Sequence, residues 1–211
     1  MSITVLVADD HAVVREGVIR ILSDDPEISV VGSAGAGDEV VGLVLGGLRP
    51  SVALVDLAMP GGGLDLVARL RELRPELRVL VYSMHSEQEY AVRCLTAGAS
   101  GYVSKGCAPA QLVEAVRTVA EGRRYISEAV ADVLASYVLD GPRDRPHERL
   151  SNREYEVFRR LAGGESSGEI ADALGLSVKS VSTYRARVLE KLHLSRNADL
   201  TRYAMEHGLL D

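Results

Sequence analysis

Short runs rich in Val and Ile alternate along the first 121 residues with stretches whose apolar positions recur every three or four residues. The runs Ile3–Ala8, Ile28–Gly32, Val52–Leu57, Arg78–Ser83 and Gly101–Ser104 read as strands. Between and after them, Val14/Val18/Ile21/Leu22, Val40/Val41/Val44/Leu48, Leu66/Val67/Leu70/Leu73, Tyr90/Ala91/Cys94/Leu95 and Leu112/Val113/Val116/Val119 each build one apolar helix face. Arg49-Pro50 and Arg74-Pro75 are expected to stop two of these helices, because a residue before proline is pushed out of the helical region, and Gly98 to end a third. Five consecutive βα units predict an α/β fold with a parallel sheet covered by helices on both faces.

The alternation weakens after Glu121. Ser127 to Leu139 reads as one helix, and Asp140-Gly141-Pro142-Arg143-Asp144-Arg145-Pro146-His147 as an exposed linker. From Glu148 the pattern is helical throughout. Ser151-Asn152-Arg153-Glu154 fits a capping box that opens a helix to about Ala162, and Ser166-Ser167-Gly168-Glu169 fits another that opens a short helix to Leu174. Gly175 supplies a turn, Ser177 caps a helix from Val178 to about Leu192, and a fourth helix runs from Asn197 to His207. The expected organisation is a domain over residues 1–121, a linker with a helix over 122–147, and a four-helix domain over 148–211.

Composition narrows the class without choosing a function. The chain has 211 residues, of which 46% are hydrophobic and 26% charged, so disordered and fibrous classes drop out. Its longest apolar stretch, Val40 to Leu48, is far shorter than the roughly 20 residues of a membrane span, and the first residues lack a basic leader. The expectation is a cytoplasmic protein with no membrane partner. Cys94 and Cys107 match no metal spacing and read as free thiols. Gly32-Ser33-Ala34-Gly35-Ala36-Gly37 lacks the dinucleotide-binding spacing, no phosphate-binding Gly-Lys-Ser/Thr loop exists, and the histidines form no zinc pattern.

Charge is unevenly spread. The net charge of −6 comes from the first domain, whereas Lys179, Arg185, Arg187, Lys191, Arg196 and Arg202 face only Glu190 and Asp199 over residues 178–202. That stretch is either a solvated helix face or a footprint for a phosphate backbone.

In an open parallel sheet, chemistry collects beyond the carboxyl ends of the strands. Asp9 and Asp10 follow the first strand, Asp56 closes the third, Ser83 the fourth, and Lys105 follows the fifth. Carboxylates brought together repel, and a hard cation such as Mg²⁺ relieves this with oxygen ligands. Asp56 is then a carboxylate nucleophile able to attack phosphorus, with Ser83 and Lys105 placed to bind phosphoryl oxygens. A haloacid-dehalogenase-type phosphatase also uses an aspartate nucleophile, but needs a second carboxylate two residues later, and neither Asp56-Leu57-Ala58 nor Asp10-His11-Ala12 provides one. The chain is not expected to be an enzyme.

These residues resemble the receiver domain of two-component response regulators: Asp9-Asp10, Asp56-Leu57-Ala58-Met59-Pro60, Ser83 and Gly101-Tyr102-Val103-Ser104-Lys105 match its motifs across residues 3–121. The resemblance implies a flavodoxin-like strand order 2-1-3-4-5. It also implies Asp56 as phospho-acceptor, Asp9, Asp10, Asp56 and the Ala58 backbone carbonyl around Mg²⁺, and Ser83 with Tyr102 as a switch pair. In the family the hydroxyl moves toward the phosphoryl group and the aromatic ring follows. Gly61-Gly62-Gly63-Leu64 is one residue shorter than the loop the family usually has after its proline.

On the helix from Val178, the three- and four-residue spacing puts Val181, Val188 and Leu192 on one face and Lys179, Thr183, Ala186 and Glu190 opposite, flanked by Ser182 and Arg187. A scaffold helix, a Gly turn and such a helix form a helix-turn-helix, whose second helix enters the major groove. Thr183 and Ser182 suit base edges, Ala186 a thymine methyl, and Lys179 guanine or phosphate, while Arg185, Arg187 and Lys191 suit phosphates. A plain four-helix packing module has the same periodicity. Leu150-Ser151-Asn152-Arg153-Glu154, Glu169-Ile170-Ala171, the run Leu174 to Val181 and Leu189-Glu190-Lys191-Leu192 resemble the LuxR-type DNA-binding domain over residues 149–205, with Ser167-Gly168 where that family usually has Asn-Lys.

With both resemblances the chain is identified as a member of the NarL/FixJ response regulators. That membership implies a cognate sensor histidine kinase, double-stranded promoter DNA, a second copy of the chain and RNA polymerase as partners. The alternative is a regulator that binds DNA without phosphorylation and uses the receiver as a dimerisation scaffold.

Overall fold

A computed structural model describes residues 2–84, 87–127, 130–132 and 146–210. The chain divides into two compact units, Met1–Val133 and Leu134–Asp211. The first holds strands β1 (Ile3–Ala8), β2 (Ile28–Ala34), β3 (Val52–Val55), β4 (Arg78–Ser83) and β5 (Gly101–Ser104), separated by helices α1 (Ala12–Ser23), α2 (Gly37–Leu45), α3 (Gly63–Leu73) and α4 (Glu87–Thr96) and followed by α5 (Pro109–Ala120). All strands are parallel, in the order β2-β1-β3-β4-β5. This is the expected flavodoxin-like topology.

The inner strands β1, β3 and β4 are rich in buried Val, Leu and Ala because both faces of the sheet are covered there. Val5, Val7, Val52, Leu54, Leu80, Tyr82 and Val103 meet Val18 and Leu22 of α1 and Leu112, Val116 and Val119 of α5 in one buried cluster. Helices α2, α3 and α4 lie against β2, β4 and β5, respectively. The layered packing leaves the carboxyl ends of β1, β3, β4 and β5 at one rim, where the polar residues sit.

Three boundaries differ from the sequence reading. β2 runs to Ala34 because the ladder shifts between Val5 and Leu6, leaving Val31 without an opposite residue before pairing resumes at Gly32. β3 stops at Val55, one residue before Asp56, although the Asp56 N–H still donates to the Ala8 carbonyl at 2.9 Å. α2 ends at Leu45 and not at Arg49-Pro50, because Gly46 and Gly47 close it: Leu48 N–H donates to the Leu43 carbonyl at 3.0 Å and Gly47 N–H to Val44 at 3.3 Å. By contrast α3 ends where the proline rule places it, with Arg74 already outside the helical region.

After α5 the chain returns to the edge of the sheet. Tyr125 forms an isolated parallel bridge with Gly101, and its N–H donates to the Ser100 carbonyl at 3.0 Å. Residues 130–132 are helical, with Ala131 N–H donating to the Ser127 carbonyl at 2.9 Å, while residues 128–129 and 133–139 of the expected helix, and 140–145 of the expected linker, lie outside the described residues.

The second unit opens with a 3₁₀ turn, Pro146–Arg149, followed by α6 (Asn152–Ala162), α7 (Ser167–Leu174), α8 (Val178–Lys191) and α9 (Asn197–Glu206). Both expected capping boxes form: Ser151 Oγ accepts from Glu154 N and Glu154 Oε2 from Ser151 N, and Ser166 pairs with Glu169 in the same way. Gly168 falls in the first turn of α7 and its Cβ position is open, so the family's longer side chain is missing from an exposed position and not from the core. Tyr155, Phe158, Leu161, Ile170, Leu174, Val181, Val188, Leu192, Leu200 and Ala204 form the core. His147, read from sequence as linker, is only 5% exposed, and its Nδ1 lies 2.9 Å from the Tyr203 hydroxyl.

Candidate functional site

The rim of the sheet gathers Asp9, Asp10, His11, Asp56 and Lys105. Asp9 and Asp56 are buried, whereas Asp10 stands at the surface. β1 and β3 are adjacent and in register, Ala8 opposite Val55, so the residues just beyond them fall side by side. Lys105 follows β5 and reaches across: its Nζ donates to Asp56 Oδ2 at 2.8 Å and lies 2.7 Å from Asp9 Oδ2. Burial disfavours the lysine charge, but the contacts with Asp56 and Asp9 outweigh it and hold the Lys105 pKa above its ordinary value.

One ammonium between two buried carboxylates leaves negative charge over. Asp9 Oδ1 accepts the His11 N–H at 2.8 Å, and Asp9 Oδ2, also buried, has the Lys105 ammonium 2.7 Å away. Ligand atoms of Asp9, Asp10, His11 and Asp56 all lie within 4.8 Å of one another. A set of carboxylate oxygens whose charge one ammonium does not balance fits a hard divalent cation. Ala58 N–H donates to Asp56 Oδ1 at 3.2 Å, which places Ala58 at the edge of the same site.

Ser83 and Tyr102 are each 1% exposed. In the ladder Val81 is opposite Tyr102, and Ser83 lies two residues on, so both side chains belong to one face of the sheet. Tyr102 is therefore an interior ring. Tyr82, which sequence reasoning passed over, lies on the opposite face with its ring centroid 5.9 Å from Lys105 Nζ. Burial first, then Cys107, Asp9 and Asp56, push the Tyr82 phenol up, against the lowering pull of Lys105. His11 was likewise missed, since nothing in a lone histidine after two aspartates marks it as part of a cluster.

The shortened loop closes the site from the side. Gly37 N–H, at the start of α2, donates to the Pro60 carbonyl at 2.8 Å, and Gly62 N–H donates to Met59 at 2.8 Å. Gly61 and Gly63 adopt positive φ, 65° and 79°, which explains why a loop this short is built from glycine.

In the second unit α7, a turn at Gly175 (φ 62°) and α8 form the helix-turn-helix, with Ser177 Oγ accepting from Ser180 N at 3.0 Å. Val181, Val188 and Leu192 are buried, while Lys179, Ser182, Thr183, Ala186 and Arg187 are exposed, as their spacing predicts. Among the described residues neither Lys179 nor Arg187 has a carboxylate partner. Two basic residues of the expected set are already engaged. Lys191 Nζ donates to Glu154 Oε2 at 2.6 Å, and Arg185 Nε donates to Asn197 Oδ1 at 2.7 Å. Asp199 lies 3.5 Å from Arg196 and 3.6 Å from Arg202. Among the described residues no helix is long and apolar enough to cross a membrane.

Comparison with known proteins matches two stretches of the chain. Residues 5–117 match the response regulator receiver domain, and residues 148–204 the bacterial regulatory proteins of the luxR family. The chain is 40% identical to the response regulator GacA of Pseudomonas protegens over 99% of its own length and 98% of the relative's. It is 36% identical to the response regulator UvrY of Escherichia coli over 98% and 95%. Among solved structures it is similar to RcsB of Salmonella enterica serovar Typhimurium bound to promoter rprA with a phosphomimetic, at TM-score 0.71, 26% identity and coverage of 96% and 98%. A structure of two RcsB dimers bound to two parallel DNAs is similar at TM-score 0.61, with 27% identity over 97% and 98%.

Proposed function

The chain belongs to the NarL/FixJ two-component response regulators, DNA-binding transcription regulators that join a receiver to a LuxR-type domain, and on that premise we propose that Asp56 accepts a phosphoryl group from a sensor histidine kinase and so controls promoter binding by α8. The observation that carries this reading is the clamp of Lys105 on Asp56 and Asp9 just beyond the ends of β3 and β1. A surface aspartate with a helix-capping role has no such neighbours.

A carboxylate oxygen of Asp56 attacks phosphorus, the bond from phosphorus to the kinase's histidine nitrogen breaks with its electron pair returning to the imidazole, and Asp56 becomes an acyl phosphate. Asp9, Asp10, Asp56 and the Ala58 carbonyl would hold Mg²⁺, which would neutralise the gathered carboxylate and phosphoryl charge. Lys105 pairs with a phosphoryl oxygen in exchange for the Asp56 oxygen it now holds. The Ser83 hydroxyl donates to another phosphoryl oxygen, and the Tyr102 ring, on the same face, occupies the interior behind it. An inward Tyr102 is the ring position that follows hydroxyl movement in the receiver family.

Lys179 and Arg187 then bind backbone phosphates, and Ser182, Thr183 and Ala186 meet base edges. Arg185 is anchored to α9 and approaches phosphate from there. Lys191 is left out of the DNA-contacting set because Glu154 holds it. Likeness to the RcsB–DNA complexes supports binding of double-stranded promoter DNA as a homodimer; a cytoplasmic location and RNA polymerase as the partner that reads the bound state belong to the same proposal.

The rival, a receiver that is only a scaffold, has no use for an intact Asp56–Lys105–Asp9 cluster. Treatment with a small acyl phosphate donor and Mg²⁺ is expected to add one phosphoryl group to the chain and none to Asp56→Ala, read by intact-protein mass spectrometry. Equal labelling of both would overturn the assignment of Asp56.

A further inference from the structure

The basic residues of α8 and α9 differ in what holds them. Lys191 is paired with Glu154, and Arg196 and Arg202 share Asp199. Arg185 is held by a neutral group: its Nε donates to Asn197 Oδ1 at 2.7 Å, and among the described residues it forms no ion pair. A carboxylate in that place would fix the guanidinium and discharge it together. An amide oxygen fixes it and leaves the whole positive charge.

Both ends of this contact sit on ordered elements. Arg185 lies on the flank of α8, between the buried Val181 and Val188 and the exposed Ser182, and is itself half-buried. Asn197 is the first residue of α9, a helix anchored by Leu200 and Ala204, both fully buried. With Nε taken by Asn197, the guanidinium edge that carries Nη1 and Nη2 stays open, and that edge suits the paired oxygens of a phosphate.

We propose that Asn197 is a positioning residue for DNA binding: it presets the Arg185 guanidinium for one backbone phosphate, so that no long side chain has to be ordered when DNA docks. The inference rests on the reading of α8 as the DNA-contacting helix. A free arginine loses its rotamer freedom on docking, which weakens binding by about threefold to tenfold per side chain, whereas a preset one has lost it already on folding. A flank position reaches backbone and not base edges, so the gain is the same for every sequence.

The test uses the full-length chain and a fluorescein-labelled duplex of mixed sequence, titrated by anisotropy over a range of salt. Arg185→Ala is expected to lower the slope of log affinity against log salt by about 1. Asn197→Ala should weaken binding about threefold to tenfold with the wild-type slope, since the charge still reaches its phosphate. Asn197→Asp should hold the arginine but lower the slope by about 1, because the charge is then matched inside the domain. In the Arg185→Ala background, Asn197→Ala should change nothing further, which a role in merely holding α9 together would not produce. Additive losses in the double variant, or wild-type binding by Asn197→Ala, would overturn the role of Asn197. A wild-type slope in Arg185→Ala would overturn the phosphate contact and the proposal with it. A flat salt response of the wild-type chain would instead overturn the reading of α8 as the DNA-contacting helix.

Discussion

Gly37 and Gly61 meet backbone to backbone: a Cβ built on Gly37 overlaps the Gly61 carbonyl oxygen and carbon. The first turn of α2 is thus packed directly on the loop that follows Asp56 and Ala58, and the Gly37 N–H bond to Pro60 fastens it there. Gly62 is confined as well, its own Cβ position lying 2.7 Å from the Met59 carbonyl oxygen. Gly37→Ala is therefore expected to push the loop outward. Overpacking of this kind costs about 1 to 3 kcal/mol. Displacement of the Asp56 loop should slow acyl phosphate formation by roughly tenfold to a hundredfold, as misplaced reacting groups do. Gly42→Ala, in the same helix with open space at its Cβ, should stabilise by up to about 1 kcal/mol and leave the rate alone. Thermal denaturation and a time course of phosphorylation check both.

How much of this was legible depended on whether the cause was local. The five strands and the rim residues Asp9, Asp56, Ser83 and Lys105 follow from short Val- and Ile-rich runs alternating with three-to-four-residue patterns, which are properties of consecutive residues. Both capping boxes of the second unit were likewise readable as four-residue motifs. What sequence reasoning missed depends on partners far along the chain. Gly37 has meaning only against Gly61. Tyr125 bridges Gly101 without any alternating run around it. The partner of Lys191, Glu154, lies 37 residues earlier and carries no mark of that pairing. The end of α2 was misplaced because a proline was given priority over the glycine pair that precedes it.

The Glu154–Lys191 pair sets an acid limit on the DNA-binding unit. Burial opposes the Glu154 charge, but the hydrogen bonds from Lys191 and Ser151 outweigh it, so its folded pKa is lowered. A carboxyl with a lowered folded pKa contributes stability that is complete above its unfolded value of about 4.3 and is lost as pH falls through the folded one. Glu169, held by the Ser166 cap, and Asp199, opposed by burial but held by Arg196, shift the same way. Denaturant titrations of the full chain, followed through amide resonances of α6 to α9, should show this unit weakening below about pH 4. Lys191→Met should cost about 1 to 3 kcal/mol at pH 7, between the ranges for exposed and buried pairs. In that variant the slope below pH 5 should be shallower.

The same pair separates two kinds of basic residue on α8. Lys179 and Arg187 are exposed and, among the described residues, without carboxylate partners, so each is available to displace a counterion from DNA. Their replacement by Ala should weaken binding to every sequence alike and lower the slope of log affinity against log salt by about 1 apiece. Lys191→Met, tested below its unfolding range, should leave that slope unchanged, because its charge is already matched inside the domain. Thr183 behaves differently again. Its hydroxyl donates to the Lys179 carbonyl at 3.0 Å, as Ser182 does to Val178, so both present lone pairs outward. Such an acceptor meets the amino group of adenine or cytosine in the major groove. Thr183→Val keeps the shape and removes the acceptor. It should relax preference at one base position by about 1 to 3 kcal/mol while the salt slope stays as in wild type, a combination that binding selection from random duplexes and salt titration together would register.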